Sequence, residues 1–513
     1  MAVSSKLISK YKQLMEKYKN IVIFQSAVSI LHWDMETKMP PKGIRLRSQQ
    51  MALLSQIGHK MMTDPEIGKL IDEIMSHSEY ESLNQVQKRN VHLIKKEYDE
   101  QTALPEKLVV ETARQRIITI DVWKKAKAAK DFSMFKPELK KLFKLRKEAA
   151  EILMEVKNTP TPYDALIDMF EPKITSGMIT RIFDRLKDGL TSLIEKCLSS
   201  PMKPDASFLK RRIPIDTQRK ISVELARFIG YDVESKEAGG RIDETEHPFT
   251  TGYYHDVRIT THYYEDNWAS SVFSVLHEGG HALYEQNLPA EWIYQPIGTA
   301  CSFGFHESQS RFVENIIGRS PEFWTYFLPK LNTVTGNAFA DVDLDTFVRG
   351  INEVKPSKIR VEADEVTYCL HIIIRFEIER DLFAGKLVVE ELPQVWNEKY
   401  KKYLDVEIKN DSEGVMQDTH WASGLFGYFP SYALGNIYSG QLLEKMQMDI
   451  PDWRKQLAEG SFNGIKQWLA KNVHSYGNLY DPADLIKIIT GKEINVQHYL
   501  SYLNWKFSKL YGF

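Results

Sequence analysis

The chain has 513 residues, 43% hydrophobic and 27% charged, enough to bury a large core. A formal charge of −2 leaves no electrostatic footprint for nucleic acid. Its three cysteines, Cys197, Cys301 and Cys369, are widely spaced and odd in number, which argues against a disulfide framework and a thiolate metal site.

The opening MAVSSKLISKYKQLMEKYKN reads as a charged helix rather than a signal peptide. Leu7, Tyr11, Leu14, Tyr18 and Ile21 recur at steps of four and three, the seam of a long packed helix. Ile21–Leu31, the longest apolar stretch, contains Gln25 and Ser26 and is too short to span a bilayer. A soluble, cytoplasmic protein with neither membrane nor nucleic-acid partners is expected. Turn signals at Met39–Gly43, Leu104-Pro105 and Thr159–Pro162 separate further amphipathic helices. The basic stretch Lys136–Lys147, broken by Glu138, reads as a solvated helix face. Length alone allows about three domains. No repeat or low-complexity linker marks a boundary, so residues 1–513 are read as one domain.

Gly239–Glu265 departs from the helical pattern and predicts short strands, rich in β-branched and aromatic residues. Within it Asp256, Arg258 and Thr260 share one face, and Val257, Ile259 and Thr261 the other. A strand there could hold an extended peptide by main-chain hydrogen bonds, or be an ordinary amphipathic edge strand.

The segment Val275–Ala282, VLHEGGHA, follows. On a helix, His277 and His281 lie on one face and can reach one ion. Glu278 sits beside that face, where it can take a proton from a metal-bound water. The competing reading is two satisfied histidines on a buried helix. Asp266 or Asn267 is expected to cap the helix, which spans about 267–288, with Pro289 beyond its end. Gly279 and Gly280 each cost about 1 kcal/mol inside a helix. They point to close approach of another backbone, a strand or a bound peptide, or to simple tolerance.

A catalytic zinc site needs three protein ligands and an open position. A second helix is expected to begin near His306, with Glu307 in its first turn as a candidate carboxylate ligand and Glu314 as the weaker alternative. Ile359–Asp364 is expected to open a helix running to about Ala384, with Arg360 either paired to Asp364 or forking onto a substrate carboxylate. Gly414–Trp421 reads as a polar, aromatic loop, and Gly427–Tyr432 as a helix start with Pro430 in its first turn. Tyr428 and Tyr432 could donate to an oxyanion or simply pack.

Together these stretches resemble the thermostable metallocarboxypeptidase, or carboxypeptidase Taq, family. The resemblance spans nearly the whole chain. Its N-terminal part rests on Leu31-His32-Trp33-Asp34, Met39-Pro40-Pro41, Tyr163–Leu166 and Glu171-Pro172. The C-terminal part rests on HPF at His247–Phe249, DxRxT at Asp256–Thr260, HExxH at His277–His281 and HES at His306–Ser308. IRxxAD at Ile359–Asp364, GxxQDxHW at Gly414–Trp421 and GYFPSY at Gly427–Tyr432 complete it. Gly279 stands where a bulkier residue is common.

The resemblance implies a mostly α-helical fold similar to neurolysin and angiotensin-converting enzyme. Two helical halves would flank a deep groove, with a small antiparallel sheet beside the metal helix. It further implies a homodimer with one divalent metal per chain, zinc or alternatively cobalt, that releases single C-terminal amino acids from peptides with broad specificity. Residue by residue, His277, His281 and Glu307 match the metal ligands and Glu278 the general base and acid. His420 and Tyr432 resemble transition-state donors. Arg360 and Arg258 sit in motifs linked to the peptide's C-terminal end, with Asp256, His247, Gln417 and Tyr428 as further candidate substrate contacts. An oligopeptidase that cuts internally or releases dipeptides is the nearest rival; a non-catalytic peptide-binding module is a more distant one.

Overall fold

The computed structural model describes residues 5–513; Met1–Ser4, the start of the predicted N-terminal helix, lie outside the described residues. Among these, twenty α-helices surround one small sheet. None of the helices is long and apolar enough to cross a membrane.

The first helix, Ser5–Thr37, buries Leu7, Tyr11, Leu14 and Ile21, the expected seam. They join Ile67, Leu70, Ile74, Val91 and Ile94 in an apolar cluster separate from the larger core that spans Ala126 to Tyr511. Polar ties cross between the two. Arg89 Nη2 donates to Asp481 Oδ1 at 2.7 Å, and buried Asn90 Nδ2 donates to Gln295 Oε1 at 2.8 Å.

Three strands, β1 (Gly240–Glu244), β2 (Thr250–Tyr253) and β3 (Asp256–Thr261), pair in the order β1-β3-β2. The sheet is mixed rather than antiparallel. β2 returns tightly onto β3 as an antiparallel hairpin, while β1 pairs parallel to β3, Gly240 opposite Val257 and Glu244 opposite Thr261. Both edges of β3 are therefore occupied, so it is not an edge strand and cannot clasp a peptide. The edge strands are β1 and β2. The predicted alternation along β3 holds as far as Ile259, with Val257 and Ile259 fully buried, but Thr260 on the expected polar face is buried as well. Thr261 donates its hydroxyl to Ser274 Oγ on the next helix at 3.2 Å.

That helix runs from Trp268 to Gln286. Asn267 occupies its N-cap position but makes no capping bond, because its φ of −145° and ψ of 57° lie outside the extended conformation from which a cap reaches the first turn. The backbone admitted by Gly280 belongs to neither a strand nor a peptide but to a neighbouring helix, Phe303–Arg311. A Cβ at Gly280 would stand 2.5 Å from Gln309 O and 2.7 Å from Ser310 Cα. A Cβ at Gly279 would instead collide with the Ile229 side chain at the end of the Ile215–Ile229 helix. Gly280 thus lets the helix carrying Glu307 lie against the helix carrying the histidines.

The Ile359–Asp364 segment does not open a helix. Arg360–Glu362 forms one 3-10 turn, and the helix begins only at Tyr368 and ends at Phe383. The Asp364 carboxylate accepts from the Val366 and Thr367 amides at 3.0 Å and from Lys355 N at 3.0 Å, holding a turn that competes with helix. Arg360 consequently pairs with Asp418 instead of Asp364.

Candidate metal and active site

The Trp268–Gln286 helix projects His277 and His281 one turn apart, with ring centroids 5.0 Å from each other. From the facing helix, Glu307 Oε2 lies 3.6 Å from His277 Nε2 and 3.4 Å from His281 Nε2. One ligand atom from each residue falls within 4.8 Å of the other two. Two imidazole nitrogens and one carboxylate oxygen converging on a cavity are a donor set suited to a divalent cation such as zinc, with room for a further ligand.

Electrostatics favour the same arrangement. Burial opposes charge on Glu307, but Arg311 and the imidazoles outweigh it and hold its pKa far below the ordinary glutamate range. Burial depresses the His281 pKa to about 3, so its ring is neutral and a nitrogen lone pair is available. His277 Nδ1 lies 2.9 Å from Glu314 Oε2. Glu314 thus stands behind His277, at the ring nitrogen facing away from the trio. Burial works against its charge too, yet His277 and Arg311 bring its pKa down to about 2.

Glu278, on the same helix, is only 6% exposed, and burial raises its pKa. Thr250 Oγ1 at the start of β2 donates to Glu278 Oε2 at 2.6 Å and to its backbone carbonyl at 3.0 Å. The sheet therefore fixes the carboxylate on the helix that carries His277 and His281.

A cavity of about 1160 Å³ opens on these groups. His277, Glu278, His281, Glu307, Tyr428 and Tyr432 all line it. Pro430 lies in the first turn of the Phe429–Asp449 helix, which carries Tyr432, as the sequence predicts. His420 Nε2 lies 3.4 Å from the Tyr432 hydroxyl. Burial pushes the His420 pKa down to about 3 and that of Tyr432 well above the ordinary phenol, leaving a neutral ring and a protonated hydroxyl.

Behind Tyr432, Arg360 stands 5.1 Å from the ring centroid. Its Nε and Nη2 donate to Asp418 Oδ1 at 3.0 and 2.9 Å, and its Nη1 donates to the Tyr368 hydroxyl at 3.3 Å. Arg375 Nε donates to the other Asp418 oxygen at 2.7 Å. Gln417 is a brace: its Oε1 accepts from Arg360 N at 2.9 Å, and its Nε2 donates to Lys358 O at 3.0 Å. Arg258 donates from Nε and Nη2 to the two Asp256 oxygens at 2.7 Å each and stacks 4.3 Å from the Trp33 ring. His247 is exposed on the loop between β1 and β2. None of Asp256, Arg258, His247, Arg360 and Gln417 is among the residues lining the cavity.

Residues 13–507 match the family described as carboxypeptidase Taq (M32) metallopeptidase. The chain belongs to this family. It is 41% identical to carboxypeptidase 1 of Bacillus subtilis, over 98% of each chain. It is 40% identical to thermostable carboxypeptidase 1 of Thermus thermophilus, over 98% of this chain and 99% of that one. The M32 carboxypeptidase structure from Deinococcus radiodurans superposes with a TM-score of 0.94 at 33% identity, covering 98% of this chain and all of that one.

Sequence reasoning left several groups of this M32 site without roles: Arg311, Thr250, Asp418 and Glu285. Arg311 stands four residues after Glu307, so helical spacing alone could have exposed it. Thr250, Asp418 and Glu285 meet their partners only through tertiary packing.

Proposed function

We propose that the chain is a metal-dependent carboxypeptidase that releases single C-terminal amino acids from peptides with broad side-chain tolerance. The observation that carries this reading is Glu278 fixed beside the His277–His281–Glu307 trio on one cavity wall. A divalent cation, zinc or alternatively cobalt, bound by that trio supplies Lewis acidity that polarises a carbonyl and acidifies water. Glu278 takes the proton of the attacking water and delivers it to the leaving amine, a role its burial and raised pKa suit. Tyr432 and His420 donate to the oxygen of the tetrahedral intermediate. Tyr428, four residues before Tyr432, lies with its ring centroid 5.2 Å from that of Tyr432 and contacts the bound chain. The open edge of β2 holds the peptide backbone.

Arg360, which stands behind Tyr432 rather than on the cavity wall, is the principal recognition group for the substrate's terminal carboxylate. Asp418 is shared by two guanidiniums, so that cluster retains one positive charge beside Tyr432. Arg258 supports it, with Asp256 as its partner; His247 and Gln417 shape the surrounding segments. Exposed Leu46 and Leu53 on one helix and Val110 and Ile117 on another support a homodimer. Buried, unpaired cysteines suit the cytoplasm. Residues 1–513 act as one peptidase domain whose two helical halves border the groove.

Mass spectrometry of a digested peptide mixture, with the bound metal assayed in parallel, tests the reading. Single free C-terminal amino acids are the expected products. Dipeptides or internal fragments would replace this reading with an oligopeptidase.

A further inference from the structure

The two histidines of the trio are held in unlike ways. His277 meets a carboxylate directly, Glu314 Oε2 lying 2.9 Å from its Nδ1. His281 meets no carboxylate at that nitrogen. Its Nδ1 lies 2.5 Å from Nδ1 of a third imidazole, His306, whose ring is 4.6 Å away and tilted by 34°. His306 Nε2 in turn lies 2.8 Å from Glu285 Oε1.

The hydrogen positions in this chain follow from its far end. A carboxylate only accepts, so His306 Nε2 carries the proton given to Glu285. With that proton on Nε2, His306 presents a lone pair at Nδ1, which accepts from Nδ1–H of His281. That leaves the Nε2 lone pair of His281 directed at Glu307, where the cation would sit. The reverse assignment would set the His306 Nε2 lone pair against the Glu285 carboxylate at 2.8 Å and turn Nε2–H of His281 toward the cation. The sequence supplies this geometry cheaply. Glu285 is four residues after His281 on one helix, and His306 is the immediate neighbour of Glu307 on the other. Tyr284 flanks the His306 ring at 5.4 Å.

From this chain of contacts we infer that His306 is the positioning residue of His281, fixing its tautomer and ring orientation through Glu285, as Glu314 does directly for His277. The inference rests on the metal-centre reading above and extends it to residues with no assigned role. Hydrogen-bond partners behind metal ligands are worth roughly 10–100-fold in metal affinity.

The test is the zinc affinity of the full-length chain, read by competition with a chromophoric chelator, with no substrate present. His306→Phe keeps a ring but cannot accept, and should weaken zinc binding roughly 10–100-fold. His306→Gln offers an amide oxygen to His281 Nδ1–H and should recover part of the loss. Glu285→Leu should weaken binding several-fold and Glu285→Gln, which still accepts, should do so less. These milder variants keep the inference testable should His306→Phe fail to fold. Zinc affinity within twofold of wild type in both His306→Phe and Glu285→Leu, alongside a marked loss in Glu307→Ala, would overturn this inference alone. A wild-type chain that takes up no zinc would overturn the metal-centre reading with it.

Discussion

Arg311 Nε donates to Glu307 Oε1 at 2.6 Å from one turn further along the same helix. The Arg311 guanidinium also stands 4.2 Å from the Tyr368 ring centroid, and Nη1 reaches Glu314 Oε2 at 3.4 Å. One cation thus stands behind both the carboxylate that would bind metal and the one that orients His277. Removing it leaves buried Glu307 without its arginine and Glu314 with Arg319 alone, at 3.4 Å. Arg311→Leu should destabilise the metal-free chain by about 3 kcal/mol. Zinc should restore part of that, since a divalent cation replaces the missing charge. Thermal unfolding with and without zinc reads both effects, and an equal midpoint shift in the two states would contradict the second.

Glu278→Gln should retain zinc but lose turnover by at least about a hundredfold, the scale of a lost general base. The amide still accepts the Thr250 hydroxyl bond, so the local fold is preserved while proton transfer is not. Peptide hydrolysis near the wild-type rate would remove Glu278 from the mechanism.

His277→Ala, His281→Ala and Glu307→Ala should each lower metal content sharply after dialysis, because each removes a donor from a set of three. Elemental analysis provides the check. A full equivalent retained by Glu307→Ala would move the carboxylate ligand elsewhere, Glu314 being the neighbour in reach of His277.

Local signals in the sequence marked out the helix carrying His277 and His281, the proline-started helix at Phe429 and the β3 alternation as far as Ile259, since each depends on spacing within one element. The parallel pairing of β1 with β3 was not legible, because strand direction is set by a connection that leaves no local pattern. The missed start at Tyr368 has a similar cause. Asp364 is compatible with a helix until its carboxylate finds the amides of Val366, Thr367 and Lys355. Gly280 signalled close approach correctly but not what approached, and only the fold identifies the Gln309–Ser310 backbone.

A pH dependence of stability follows from Glu171. Its carboxylate accepts the Gly304 amide at the start of the helix bearing Glu307, and burial raises its pKa to about 7. The unfolded value is near 4.3. A folded pKa above the unfolded one means that stability is fully present below about 4.3 and is lost as pH rises through about 7, by an amount of order 3 kcal/mol. Glu171→Gln removes the ionisation while keeping an acceptor for Gly304 N. The fall in thermal midpoint between pH 5 and pH 8 should therefore be smaller in the variant than in wild type. Identical slopes would show that the Glu171 pKa is not raised in the folded chain, its carboxyl being ionised in both states over this range.

End-specificity rests on a guanidinium whose Nε and Nη2 already serve a carboxylate of the protein. Arg360 gives both to Asp418, and Arg375 supplies the same anion from the other side. Two cations around one anion leave a net positive charge, and burial makes that charge count for more than it would in water. A free-acid peptide should therefore be cleaved much faster than its C-terminal amide by the wild-type chain. In Arg360→Ala the cluster becomes neutral, Asp418 balancing Arg375, and the acid-to-amide ratio of kcat/KM should fall by roughly tenfold or more, the scale of a charge-assisted hydrogen bond. Zinc content should not change, since Arg360 contacts none of the three candidate ligands. Asp418→Asn should keep the preference for the acid, because it removes the competing anion and leaves both guanidiniums charged. An acid-to-amide ratio unaltered in Arg360→Ala would reject Arg360 as the carboxylate contact and direct the same comparison to Arg258→Ala.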